Sequence, residues 1–203
     1  MDTFFESALL LVVLLNPFLM SVYLLELFQQ LSRPAFAAVM IRAALISVGV
    51  FLLFAVAGDA IFRDVLQVRF GAFLIFGGIV FLTIAVRFVQ EGGSAINVLR
   101  GEPEHMAGAV AMPFMIGPGT VSASVLAGSR MSLLPACGSI ALGLAITVVC
   151  VLMLKLMHDV VKKRNERLVQ RYVDVVGRIS ALVVGTIAID LILRGIELWI
   201  KEM

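Results

Sequence analysis

Six stretches of this 203-residue chain, roughly 4–28, 35–61, 70–90, 108–128, 131–154 and 175–200, are each apolar over a length that crosses a bilayer. A helix needs about 20 apolar residues to do so. None of the six alternates apolar with polar residues, so none reads as a strand. There is little else in the chain to cover them: apolar residues make up 61% of the sequence, charged residues 15%, and mean hydropathy is +1.07. A soluble domain of this size needs far more polar surface, so the expectation is an all-α integral membrane protein. The net charge of +2 is small, and no basic face interleaved with aromatics suggests a nucleic-acid partner.

The polar segments organise these spans. The first residues, MDTFFES, are acidic where a secretory signal is basic, so the first apolar run reads as a retained helix. Gln29 to Pro34, Asp59 to Arg69, Gly128 to Ser132 and Lys155 to Arg171 are short connections. The segment 91–107 carries Gly92-Gly93, Pro103 and His105 among charges and marks a loop. It divides a single membrane domain, 1–203, into repeat one (1–92) and repeat two (108–203), with the loop on the cytoplasmic side. That side follows from the cations. Loops one, three and five carry eleven of them, including Arg33, Arg42, Arg100, Lys155 and the Lys162 to Arg171 cluster; the opposite side carries five, among them Arg63, Arg69 and Arg130. The positive-inside rule then places both termini on the outer, periplasmic side of the inner membrane.

Two of the six spans contain their own interruption. Asn16-Pro17 lies inside "VVLLNPFLMSV", and Gly117-Pro118-Gly119 inside "FMIGPGTVSAS". Proline removes a backbone donor and collides with the preceding turn, at about 3 kcal/mol in a helix interior. A flanking glycine adds about 1 kcal/mol. Unwound backbone survives at membrane depth only where protein buries it or a cavity reaches it. The two breaks are 101 residues apart, and Thr83-Ile84-Ala85-Val86 matches Thr186-Ile187-Ala188-Ile189 at an offset of 103. Two halves of three spans must be inverted with respect to each other. The expected fold is therefore six transmembrane helices in two inverted three-helix repeats, the first helix of each repeat broken. Such a pattern points to a secondary transporter that binds its substrate between the breaks, near the midplane. Asn16, Pro17 and Ser21 on one side, and Gly117, Pro118, Gly119, Thr120 and Ser122 on the other, form the candidate substrate site. Free amides and the positive end of a half-helix suit a carboxylate, and the Asn16 amide both donates and accepts. Together these groups suit a small zwitterion.

The quoted segments resemble the MarC family of bacterial and archaeal inner-membrane proteins. "AMPFMIGPGTVSASV" is similar to that family's second-half signature, and "LLNPFLMSVYLLELF" to its first-half counterpart. "FGGIVFLTIAVRF" and "GRISALVVGTIAIDLILRGI" resemble its third and last spans. The likeness covers nearly the whole chain. Phe18-Leu19 depart from it where many members have glycine two positions after the Asn/Asp-Pro pair. Some members are regarded as small neutral amino-acid transporters, so the resemblance implies export or exchange of such a molecule.

The other candidates carry less. Asp190 is the deepest acidic residue and a coupling candidate, although Arg194, Glu197 and Lys201 continue a self-neutralising ladder along the same helix face. The two histidines, His105 and His158, lie at or beside loops without ligand spacing, so no metal and no cofactor is expected. Cys137 and Cys150 are thirteen residues apart on one expected helix, roughly 20 Å, and cannot pair. Neither a Gly-x-Ser-x-Gly nor a His-Glu-x-x-His element is present, so no catalytic residue is proposed and the chain is not expected to be an enzyme. The cluster from Lys162 to Arg171 suits anionic lipid. The alternative to transport is a membrane assembly or regulatory subunit. On that reading the small faces Ser139/Gly143 and Ala141/Ala145 receive a partner helix.

Overall fold

The computed structural model describes residues 2–58, 60–65, 67–91, 107–108, 110–164 and 166–201. Most of the predicted loop 91–107, with His105, lies outside the described residues, as do the side chains of most of the basic cluster from Lys162 to Arg171. Every described element is helical. The first apolar stretch forms three consecutive helices, α1 (Asp2–Leu15), α2 (Pro17–Tyr23) and α3 (Leu25–Gln30). They are followed by α4 (Arg33–Ala57), α5 (Phe70–Glu91), α6 (Pro118–Arg130), α7 (Leu133–Arg164) and α8 (Glu166–Lys201). Among the described residues, four segments are long and apolar enough to cross a membrane: Thr3–Ser21, Arg33–Ala57, Phe70–Arg87 and Leu133–Val161. Of the other two expected spans, the fourth yields the 13-residue α6, and the last lies within the 36-residue α8.

Local chemistry accounts for the helix ends. Pro34 occupies the first turn of α4, where its missing N–H costs nothing. Gly58 closes the same helix in a left-handed conformation, φ +58°, and its amide donates to the Phe54 carbonyl at 2.8 Å. Between α4 and α5 the chain makes a π-helical turn, Ile61–Val65. Phe62 is 2% exposed there, with the rings of Phe54, Phe70 and Phe73 around it. This connection reads as polar in the sequence, yet it carries an aromatic plug. Lys155 to Arg171 also differs from the expected connection. The α7 helix continues to Arg164, and α8 begins at Glu166. Lys, Arg, Glu and Val all sustain a helix in water, so a span's polar flank need not be a loop.

Packing divides the helices into two groups. α1, α4, α6 and α7 enclose the main core, with Leu11, Phe36, Phe51, Val121, Ile140 and Leu144 nearly inaccessible. On α7 the Ser139/Gly143 face turns inward: Ser139 is fully buried, and a methyl at Gly143 would lie 3.0 Å from the Ala8 carbonyl of α1. Ala141 and Ala145 face outward. The second group is α5 against α8, joined by small residues at seven-residue spacing. Gly71 meets Gly195, Gly78 meets Ala188 and Ile192, and Ala85 meets Gly185. Numbers rise along α5 as they fall along α8, so the two run antiparallel. Small residues let two backbones approach, which is how membrane helices associate when lipid is as apolar as the side chains. α2 packs on both α7 and α8, α6 packs on both α4 and α5, and the turn 111–115 rests on α4. Large apolar residues such as Leu45, Phe76, Leu134, Met157 and Leu182 point outward, as a lipid-facing surface requires.

Candidate functional site

The two predicted breaks are present, and they share one local design. At the first, Asn16 is held at φ +42°, a left-handed conformation that asparagine tolerates better than most residues. Its amide closes α1 on the Val12 carbonyl at 2.9 Å. Its side-chain Oδ1 accepts from the Leu19 amide at 3.1 Å, and so caps α2. Pro17 is the first residue of α2. At the second break the irregular stretch is longer. A π-helical turn, Ala111–Met115, contains Met112 at φ −114°, ψ 125°; Ile116 and Gly117 are extended, and Pro118 opens α6. The Thr120 hydroxyl stitches this break together. It accepts from the Gly117 amide at 2.9 Å and lies 2.8 and 2.9 Å from the Met115 and Gly117 carbonyls, to which it donates. Each half-helix therefore starts with proline, and the next amides, those of Phe18 and Gly119, have no intrahelical acceptor.

α5 joins the breaks. A methyl at Gly77 would fall 1.5 Å from Cγ of Pro118, so the proline ring sits directly on the Gly77 backbone. Four residues further along α5, the tip of the Phe81 ring lies 2.8 Å from where a Gly117 side chain would begin. From the other side, Leu14 of α1 comes within 3.5 Å of the corresponding point on Gly119. Beside Asn16 is a cavity of about 50 Å³, walled by Leu14, Leu15, Leu19, Met20 and Tyr23 from the first break, Phe81 and Ile84 from α5, and Val184 and Ile187 from α8.

The predicted site residues are thus partly assembled. Asn16 lines the cavity. Gly117, Pro118, Gly119 and Thr120 are buried nearby but form no part of its wall; Phe81 covers Gly117 and Leu14 covers Gly119. Pro17 is buried. Ser21 bonds back to the Phe18 carbonyl at 2.6 Å and does not reach the cavity. The Ser122 hydroxyl is buried with no hydrogen-bond partner among the described residues, one turn beyond Pro118 on the same helix face. Asp190 lies apart: it is half exposed, paired with Arg194 at 2.7 Å, on the same helix as the Lys201–Glu197 pair at 3.1 Å. Sequence reasoning missed Phe81, Tyr23 and Leu14. Only the Gly77-Gly78 pair, a mark of close backbone approach, signals α5 in advance.

A family model described as MarC family integral membrane protein matches residues 1–200. The chain belongs to the MarC family. Among curated proteins it is similar to the UPF0056 membrane protein PH0214 of Pyrococcus horikoshii, 31% identical over 123 residues. That match covers 59% of this chain and 60% of the relative, less than two thirds of either. No solved structure matches it. In this MarC chain, the segments that carry the family likeness are the same ones that break α1 from α2 and precede α6. Of the two breaks, the first contributes Asn16 to the cavity wall and the second lies behind Phe81, within an integral membrane protein.

Proposed function

We propose that this MarC protein is a secondary transporter that exports or exchanges a small neutral amino acid or a similar small zwitterion. One observation carries the reading: two half-helices, each opened by a proline, flank a single aromatic side chain, since Phe81 touches Gly117 ahead of α6 and shares the wall of a cavity with Asn16 and α2. The amides after Pro17 and Pro118 suit a carboxylate, because first-turn amides and the helix dipole both favour negative charge. The Asn16 cap uses Oδ1, which leaves its amide hydrogens for a guest.

The architecture we infer is six spans in two inverted repeats, with both termini outside. The packing supports it. When the first span is exchanged with the fourth, the second with the fifth and the third with the sixth, α2 on α7 becomes α6 on α4, and α2 on α8 becomes α6 on α5. The same exchange turns α1 on α7 into the turn 111–115 on α4. The antiparallel course of α5 and α8 is what inversion demands of two third spans. The rival reading, a non-transporting subunit, loses one of its two docking faces, since α1 occupies the Ser139/Gly143 face.

The test is flux. Proteoliposomes holding the purified chain should exchange labelled glycine or alanine faster than empty vesicles. No flux of any small zwitterion, in either direction and under any imposed gradient, overturns the proposal.

A further inference from the structure

We propose that the Phe81 ring is the partition that sizes this site, and that it sets the upper limit on the substrate's side chain. The inference rests on the transport reading and adds a specificity residue to it. Two independent contacts define the ring's position. On one side its Cζ and Cε2 lie 2.8 and 3.3 Å from where a Gly117 side chain would begin, so ring and glycine backbone are in direct contact. On the other side the same ring walls the cavity that Asn16 lines. With Leu14, which also walls the cavity and lies against Gly119, this ring separates the polar groups of the first break from the bare backbone of the second; Phe81 is the one that covers Gly117.

The lining makes the separation consequential. The cavity measures about 50 Å³. Its walls do not include the Gly117–Gly119 backbone, which lies beyond Phe81 and Leu14. A guest that touches both Asn16 and the Gly117–Gly119 backbone must take the place of the ring. The other walls offer less room to yield. Ile84, Val184 and Ile187 are aliphatic residues of the packed α5/α8 pair, and all three are β-branched and stiff at χ1. Phenylalanine on a helix has two favoured χ1 wells, so the ring can leave Gly117 by a single rotamer change. Once displaced, it remains the wall nearest the guest. A substrate with hydrogen or methyl as its side chain fits beside it, whereas a longer side chain meets the ring. Gly117 completes the arrangement, because any side chain there would already occupy the space the ring uses.

Phe81→Ala, Phe81→Leu and the wild type are compared in proteoliposomes by competition against labelled alanine. In the wild type, glycine, alanine and serine compete and methionine does not. In Phe81→Ala, methionine gains at least tenfold relative to alanine, with Phe81→Leu between. Retained alanine flux with an unchanged methionine/alanine ratio overturns the inference and leaves the transport reading intact. A second measurement needs no flux. In a Cys137→Ser/Cys150→Ser background, Ile84→Cys is labelled with a small and a bulky methanethiosulfonate. Phe81→Ala should raise the bulky-to-small rate ratio at least tenfold. An unchanged ratio overturns the inference whatever the vesicles transport. If Phe81→Ala does not fold, Phe81→Leu takes its place in both assays, with a threefold shift expected and no shift decisive against.

Discussion

Lys155, on α7, donates from Nζ to the main-chain carbonyl of Phe28, 127 residues earlier in the chain. The same ammonium donates to Asp159 Oδ1 at 2.7 Å, and Asp159 Oδ2 accepts from Arg33 Nε at 2.9 Å. One buried lysine, 4% exposed, thus ties the end of α3 and the start of α4 to α7. Removing it leaves a carbonyl and part of a carboxylate without a donor. An unsatisfied buried group costs about 1–3 kcal/mol. Lys155→Met should lower the melting temperature in detergent, and adding Asp159→Leu should restore part of the loss, because a paired apolar replacement leaves no stranded charge. A double variant worse than the sum of the singles would show that the network is not the source of the effect.

Adding 100 to Phe28 and subtracting 100 from Lys155 gives Gly128 and Ala55, which meet at the other junction with no side chain between them. A methyl on Gly128 would lie 1.9 Å from the Ala55 carbonyl oxygen. Gly128→Ala must therefore push α6 away from α4, and overpacking of this kind typically costs about 1–3 kcal/mol. The expected result is a lower melting temperature and reduced yield of folded protein. Ala55→Gly should give no rescue, because the collision is with the backbone. Rescue by Ala55→Gly, read in the same melting assay, would contradict the geometry.

How much of this could be read before the coordinates depends on the kind of signal. Asn16-Pro17 and Gly117-Pro118 announce themselves because proline and glycine change backbone energetics wherever they stand. The second break begins earlier than its Gly-Pro-Gly element suggests, with Met112 already extended, and only Pro113 hints at that. The turn at Leu24, between α2 and α3, carries no helix breaker at all. Phe81 is illegible for a different reason. On an apolar helix one phenylalanine looks like another, and its role depends on which glycine of another helix lies beneath it. Lys155 reads as one more connector cation until a carbonyl from the first half is placed beside it. The α5/α8 seam lies between these cases, since Gly71, Gly78 and Ala85 recur every seventh residue but do not say what they meet.

The seat of Pro118 on Gly77 predicts a strongly non-additive pair. Gly77→Ala drives a methyl into the proline ring, 1.5 Å from Cγ and 2.6 Å from Cβ. That variant should fold poorly and, on the transport proposal, show no exchange. Pro118→Gly alone removes the ring at the first helical position and costs less, because no hydrogen bond is lost there. The double variant should be more stable than Gly77→Ala alone, with a coupling of about 1–3 kcal/mol between touching residues. Additive melting shifts would mean that α5 and the start of α6 are not in contact.

Asn16 does two separable jobs, and three substitutions divide them. Glycine keeps the left-handed backbone but loses the cap on Leu19; alanine loses both; valine adds β-branching at a positive φ. Losing a cap to alanine costs about 0.5–2 kcal/mol and to glycine only a few tenths. A left-handed backbone costs a residue with a β-carbon about 1–2 kcal/mol. Melting temperatures should therefore fall in the order wild type, Asn16→Gly, Asn16→Ala, Asn16→Val. Exchange separates from stability here. On the transport proposal, Asn16→Gly keeps most of the fold yet removes the side chain that lines the cavity, so alanine flux should fall at least tenfold while the melting temperature barely moves. Wild-type flux in Asn16→Gly would show that the first break is a structural kink, and that its side chain plays no part in holding the guest.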